Sequence, residues 1–262
     1  MGGIRLYFRL LGAHGRALLE YETDFWIMAV ATAFMQVVNI VFLAALFARV
    51  PQINGWTFWL VVVMFGMVSL AEGVSSLLSQ GVWNLARLID QGELDYLLVR
   101  PYPVVLQVTS SEIATQGLSY TILGGLMVGV ALGHIHVDWT LWRVLFGIVL
   151  LAGAIAIKMA INLSTNAVSF WLPSATSMFA VAMNRAGELA RFPLSVYPLA
   201  LKAVLGFVVP FAFISYFPVA SLAGTGPSRW TGLLTPLVAV YCVVVALTVF
   251  RRGLRRYESA GN

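Results

Sequence analysis

The chain has 262 residues and a formal net charge of +5; 60% of its residues are hydrophobic, 10% are charged, and mean hydropathy is +0.88. A soluble domain carries about 25% charged residues, so this composition excludes one and specifies an all-α, polytopic membrane protein in a single transmembrane domain, residues 1–262. The basic excess sits at the ends of apolar runs, where loop charge sets orientation, so nucleic acid is not its partner. The lone cysteine, Cys242, excludes a disulfide framework and a thiolate metal cluster.

Residues 1–24 place Ile4, Tyr7, Phe8 and Leu11 on one helical face and Arg5, Arg9 and Arg16 away from it. That is the pattern of a helix lying in the membrane interface, and it predicts an elbow before the first span. No small-residue cleavage site precedes the first apolar run, which is too long for a signal-peptide core, so a retained span is expected. A span needs about 20 apolar residues, and five runs satisfy this: 25–47, 56–79, 106–132, 141–163 and 232–250. In the first, Gln36 and Asn39 suit either a pathway lining or hydrogen bonds to a neighbouring helix.

In the second and fourth runs, Glu72 follows Trp56 by 16 residues and Lys158 follows Leu141 by 17. At about 1.5 Å per residue both lie roughly 25 Å from the outer boundary, which places them in the inner leaflet and permits pairing. An isolated charge there is costly, so a structural ion pair is expected ahead of a proton or substrate site at Glu72.

The loop between the second and third runs reads Leu85-Ala-Arg-Leu-Ile-Asp-Gln-Gly-Glu-Leu-Asp-Tyr-Leu-Leu-Val-Arg-Pro-Tyr-Pro103. It sets the carboxylates Asp90, Glu93 and Asp95, with Tyr96, among apolar residues at helical spacing (Leu85, Leu88, Ile89), and Pro101 and Pro103 end it. A short amphipathic helix at the membrane face is a docking surface. The plainer alternative is an ordinary interfacial loop helix.

The third run carries Gly117, Thr121, Gly125, Gly129 and Gly133 four residues apart, a small-residue ladder that predicts close helix packing, within one subunit or between two. Gly117-Leu-Ser-Tyr120 has a Gly-x-Ser spacing, but the nearest bases, His134 and His136, stand at the outer end of the same span. Ser119 therefore reads as a packing residue and no catalytic residue is assigned. His134, His136 and Asp138 make too small a cluster to assign a metal.

Between 174 and 224 the chain carries Arg185, Glu188 and Arg191, then Pro193 and Pro198, then a strongly apolar stretch interrupted by Pro210 and Pro218. Either 199–222 crosses alone, or 174–192 crosses and the following stretch dips in and out from the far side; both give six crossings. On one helical face, Arg185 and Glu188 are positioned to neutralise each other. With the N-terminus inside, Arg5, Arg9, Arg16, Arg87, Arg100, Arg251, Arg252, Arg255 and Arg256 are inner, against Arg49, Arg143 and Arg229 outer, leaving the disputed region aside. This bias puts both termini in the cytoplasm.

No Gly-x-x-x-x-Gly-Lys-Ser/Thr occurs, so any ATP-driven transport draws on another polypeptide. The order of elbow, six spans and the Gly92-Glu-Leu-Asp-Tyr-Leu-Leu-Val-Arg-Pro101 loop resembles permease subunits of type-two ATP-binding-cassette exporters. Ala190-Arg-Phe-Pro-Leu-Ser-Val-Tyr-Pro198 and Val209-Pro-Phe-Ala-Phe-Ile-Ser-Tyr-Phe-Pro218 resemble one branch of that family. The resemblance covers nearly the whole chain. It implies a bacterial plasma-membrane permease that pairs with a second permease, identical or related, and exports a substrate. It also implies a cytoplasmic ATPase carrying ATP and Mg, docked on a coupling helix within residues 80–105 (Leu85 to Val99). Residues 193–223, with Pro193, Pro198, Pro210 and Pro218, would form a re-entrant outer gate. The alternative is an ion-coupled secondary carrier using Glu72, although no repeat symmetry supports it.

Overall fold

The computed structural model describes Tyr7 and residues 22–135, 137–172, 176–225 and 230–258. The elbow expected over 1–24 and His136 therefore fall outside the described residues, except for Tyr7, whose hydroxyl donates to the Leu78 carbonyl, and for the first turn of the helix that begins at Glu22. The described chain is helical, with one isolated antiparallel bridge, Ile53 to Trp56, in a turn.

Helix α1 spans Glu22–Arg49 and α2 spans Phe58–Ser79, continued by a 3-10 stretch at Gln80–Asn84. The loop that follows holds three short helices, α3 Leu85–Asp90, α4 Leu94–Leu98 and α5 Val104–Thr109. Gly92 between α3 and α4 has φ +69, a left-handed turn that glycine adopts without steric cost. Then come α6 Gln116–Gly133 and α7 Leu141–Ala167. Helix α8 spans Thr176–Gly187, tightening to 3-10 geometry at Glu188–Arg191. Last are α9 Leu199–Ala203, α10 Tyr216–Ala223 and α11 Thr235–Arg256.

Among the described residues five helical runs are long and apolar enough to cross a membrane: Trp26–Arg49, Phe58–Asp90, Gln116–Gly133, Leu141–Phe170 and Thr231–Arg256. A sixth unit, Leu199–Val208 with Phe211–Ala223, bends by 70° at its break. Pro210 sits at that break: it lacks an N–H, and Val209 before it is extended at φ −122, ψ 99, as a residue preceding proline prefers. The third span begins at Gln116, ten residues later than its apolar run. Thr109, Ser110 and Ser111 turn their hydroxyls back to the carbonyls of Val105, Leu106 and Val108, an alternative to continuing the helix, and Glu112 follows.

Helix α2 is the axis of the bundle, with Leu60 to Val68 buried on every side. A helix apolar all round belongs inside. It packs on α6 and α7, on the 188–191 turn and on α10. Helix α1 stands outermost, burying Thr32, Gln36, Leu43 and Phe47 in one stripe while Val30, Phe34, Val37 and Val41 remain exposed. Gln36 Nε2 donates to Ser69 Oγ at 2.7 Å, a bond from α1 to α2.

The α2–α6 contact uses only part of the glycine ladder. A Cβ added to Gly73 would lie 2.5 Å from the Thr121 nitrogen, one on Gly66 2.6 Å from Val128 Cγ2, and one on Gly124 2.8 Å from the Leu70 nitrogen. The seam is therefore Gly117, Thr121, Gly124 and Val128 against Gly66 and Gly73. Gly125 makes only ordinary contact, and Gly129 and Gly133 meet nothing within 4 Å. Steps of four drift about 40° each around a 3.6-residue helix, whereas alternating steps of four and three stay on one face.

Candidate functional site

Glu72 on α2 and Lys158 on α7 pair across the bundle, Nζ to Oε2 2.5 Å, with side chains 18% and 6% exposed. The ammonium also donates to Asn184 Oδ1 on α8, and Asn162 Nδ2 reaches Ser75 Oγ at 3.3 Å one turn along. Three helices are thus joined by charge-assisted bonds, which strengthen as water is excluded. Glu72 lies 14 residues past Phe58 and 12 short of Asn84, and Lys158 lies 17 past Leu141 and 12 short of Phe170. Both residues thus lie in the middle part of their helices, and the pair sits near the middle of the bundle's height.

Arg185 and Glu188 do not neutralise each other. Beyond Gly187 the chain turns as a 3-10 helix, in which residues three apart eclipse. Glu188 therefore meets Arg191 at 2.6 Å, a Coulombic contact not aligned as a hydrogen bond, and the Arg191 guanidinium lies 5.5 Å from the Phe65 ring centroid. Arg191 is buried and Glu188 half exposed. Arg185, on the exposed face of α8, has no ion pair among the described residues.

From this level the chain climbs and then folds back. Asn184 is beside Lys158, Arg191 is over Phe65, and the Ser195 carbonyl accepts from Asn54 Nδ2 at 3.5 Å in the α1–α2 turn. After descending to Gly187, where the Phe211 ring Cε1 lies 3.0 Å from an added Cβ, the chain rises again, and the Ser215 hydroxyl donates to the Ala190 carbonyl. Tyr216 then stacks near Trp56, ring centroids 5.0 Å apart. Pro193 and Pro198 begin short helical turns, Pro210 marks the break, and Pro218 lies in the first turn of α10, where its missing N–H is tolerated.

At the other end, the loop after α2 is anchored from within. Leu85, Leu88 and Leu94 are buried and Ile89 packs against the core, so these side chains face their own bundle and not a docking surface. Buried Gln107 donates to the carbonyls of Leu97 (3.1 Å) and Tyr102 (2.9 Å), and Arg87 bridges to Glu93 at 2.9 Å. Tyr257, just past α11, is pushed above the usual phenol pKa by burial and by the Asp95 carboxylate beside it. The exposed face is Asp90, Tyr96 (74% exposed), Leu98, Val99 (86%) and Tyr102. Helical spacing identified an amphipathic segment correctly but assigned its apolar side outward.

Elsewhere, His134 stacks on Trp59 with ring centroids 3.9 Å apart, and Asp138 pairs with Arg143 at 4.0 Å; no cluster able to hold a metal is present among the described residues. Ser119 is buried in α6. The family model for an ABC-2 family transporter protein matches residues 33–261. The chain belongs to this family. No curated protein and no solved structure matches it significantly.

As an ABC-2 transporter, the chain is an integral, multi-pass membrane protein with a transport role. The sequence pattern did not single out Asn184, Gln107, Gly66, Gly73 or Gly81. At Gly81 the Val108 carbonyl and Ser111 hydroxyl leave no room for a Cβ, a constraint visible only once the loop is folded. Asn184 bonds Lys158, a partner 26 residues away that only the folded chain brings close, whereas Gln107 bonds carbonyls ten and five residues before it.

Proposed function

We propose that this chain is the permease subunit of an ATP-driven exporter. It forms the substrate pathway with a second permease copy or relative and couples to a separate cytoplasmic ATPase that holds ATP and Mg. The observation that carries this reading is the loop after α2. Its outer strip, Tyr96, Leu98, Val99 and Tyr102, is apolar and aromatic, while its inner residues Leu85, Leu88 and Leu94 lock it to the bundle. Exposed aromatics on a rigid support make protein–protein anchors.

In this reading a push on Tyr96 or Val99 passes through the Gln107 bonds and the buried leucines into α2, and from α2 through Glu72–Lys158–Asn184 into α7 and α8. The contacts of Ser195, Ser215 and Tyr216 support 176–197 as a crossing and 199–223 as a re-entrant segment on the side opposite the loop. That segment then serves as the outer gate. Glu72 is committed to Lys158, so nothing favours it as the ion site of a secondary carrier. The test is isolation of the tagged chain from its native membrane with mass measurement of the complex. Two permease chains with two ATPase chains are expected, and a stable chain that never brings down an ATPase contradicts the reading.

A further inference from the structure

The charges at mid-bundle do not cancel. Glu72 is matched by Lys158 and Glu188 by Arg191, which leaves the guanidinium of Arg185 as surplus positive charge. Arg185 follows Asn184, the partner of Lys158, so it stands near the middle of the bundle's height. Twelve residues, about 18 Å of helix, separate Lys158 from Phe170, more than a side chain bridges by snorkelling. An unpaired guanidinium facing hydrocarbon at that depth is costly, and such residues face water, a partner charge or a bound ligand. Flanking Arg185 on the exposed face of α8 are Met178 (78% exposed) and Val181 (46%), with Ala182 beside them.

We propose that this face of α8 lines a water-accessible pathway, and that Arg185 binds the anionic head of an amphiphilic substrate while Met178 and Val181 contact its apolar part. The guanidinium fork matches a carboxylate or phosphate in two parallel hydrogen bonds, and one fixed charge among apolar side chains suits a molecule with one anionic end. The proposal rests on the permease reading and adds the substrate class.

The chain's single cysteine permits a direct test. In a Cys242→Ala background, Ala182→Cys is placed one helical turn from Arg185 and is modified in membrane vesicles with a sulfonate-bearing or a trimethylammonium-bearing methanethiosulfonate. Tyr96→Cys on the exposed loop serves as the reactive control. Both reagents should react at position 182. The anionic-to-cationic rate ratio should fall about five-fold on adding Arg185→Gln, as expected for a unit charge some 8 Å away in water acting oppositely on the two reagents, and be retained with Arg185→Lys. Octyl phosphate below solubilising concentration should slow modification, inorganic phosphate and octyl glucoside should not, and Arg185→Gln should abolish the protection.

No reaction at position 182 while Tyr96→Cys reacts means that the face is covered by lipid or a second subunit, and overturns the proposal. Reaction with a rate ratio indifferent to Arg185→Gln, or equal protection by octyl glucoside, removes the anionic-substrate role of Arg185. In both cases co-isolation of an ATPase is unaffected, so failure here is distinguishable from failure of the permease reading.

Discussion

Removing one partner of the Glu72–Lys158 pair should cost more than removing both. The pair is 2.5 Å apart, with side chains 18% and 6% exposed, so neither charge is rescued by water when its partner is lost. Breaking a buried pair from one side costs about 3–5 kcal/mol, whereas replacing both partners with neutral side chains of similar volume is close to neutral. Asn184 adds a bond that Lys158→Met also removes, leaving its Oδ1 unpaired for about 1 kcal/mol or more. Glu72→Gln and Lys158→Met should therefore each lose about 3 kcal/mol, and the double variant less than either alone, a coupling of more than about 3 kcal/mol. For a chain of this size, 1 kcal/mol corresponds to about 2–4 °C in Tm, so each single variant should melt some 6–12 °C lower in one detergent. Losses that simply add would show that the two charges are held independently and would refute the mid-bundle lock.

Three further outcomes follow from the packing. Gly73→Ala and Gly124→Ala place a methyl against backbone atoms of the facing helix and should destabilise by about 1–3 kcal/mol, while Gly129→Ala stays within about 0.5 kcal/mol; thermal unfolding of the purified variants checks the contrast. Leu88→Asp should abolish the folded protein, because the carboxylate enters a buried site, whereas Tyr96→Asp should leave yield and Tm unchanged; size-exclusion profiles separate the two. Arg191→Ala should strand Glu188 and expose Phe65, lowering Tm by several degrees, and Arg191→Lys should recover only part of the loss because it keeps the charge without the planar stacking.

Fold class and span order were legible because lipid leaves the backbone few options: long apolar runs become helices, and their count survives uncertainty at the ends. The pairing of Glu72 with Lys158 was legible for a related reason, since an unpaired charge at depth is the costlier state. Other features depend on angles that spacing alone does not set. The glycine seam required knowing which face of α6 meets α2, and Gly66 and Gly73 on the partner helix decide that. Arg185 and Glu188 were paired on the assumption of a continuous α-helix, but the 3-10 turn after Gly187 carries Glu188 to Arg191. In the loop, hydrophobic periodicity located the helix without saying which side its own bundle covers. Leu85 and Leu88 are inside because the loop packs against the end of α7, and the exposed apolar surface falls instead to Tyr96 and Val99, outside the stripe of Leu85, Leu88 and Ile89.

A photo-crosslinking amino acid placed at Val99, and separately at Leu88, tests the coupling surface most directly. With the chain in its native membrane, position 99 should crosslink to an ATP-binding-cassette ATPase and position 88 only within the chain itself. An ATPase adduct from position 88, or none from position 99 while the complex remains assembled, would contradict the assignment of this loop as the point where ATP hydrolysis acts on the membrane domain.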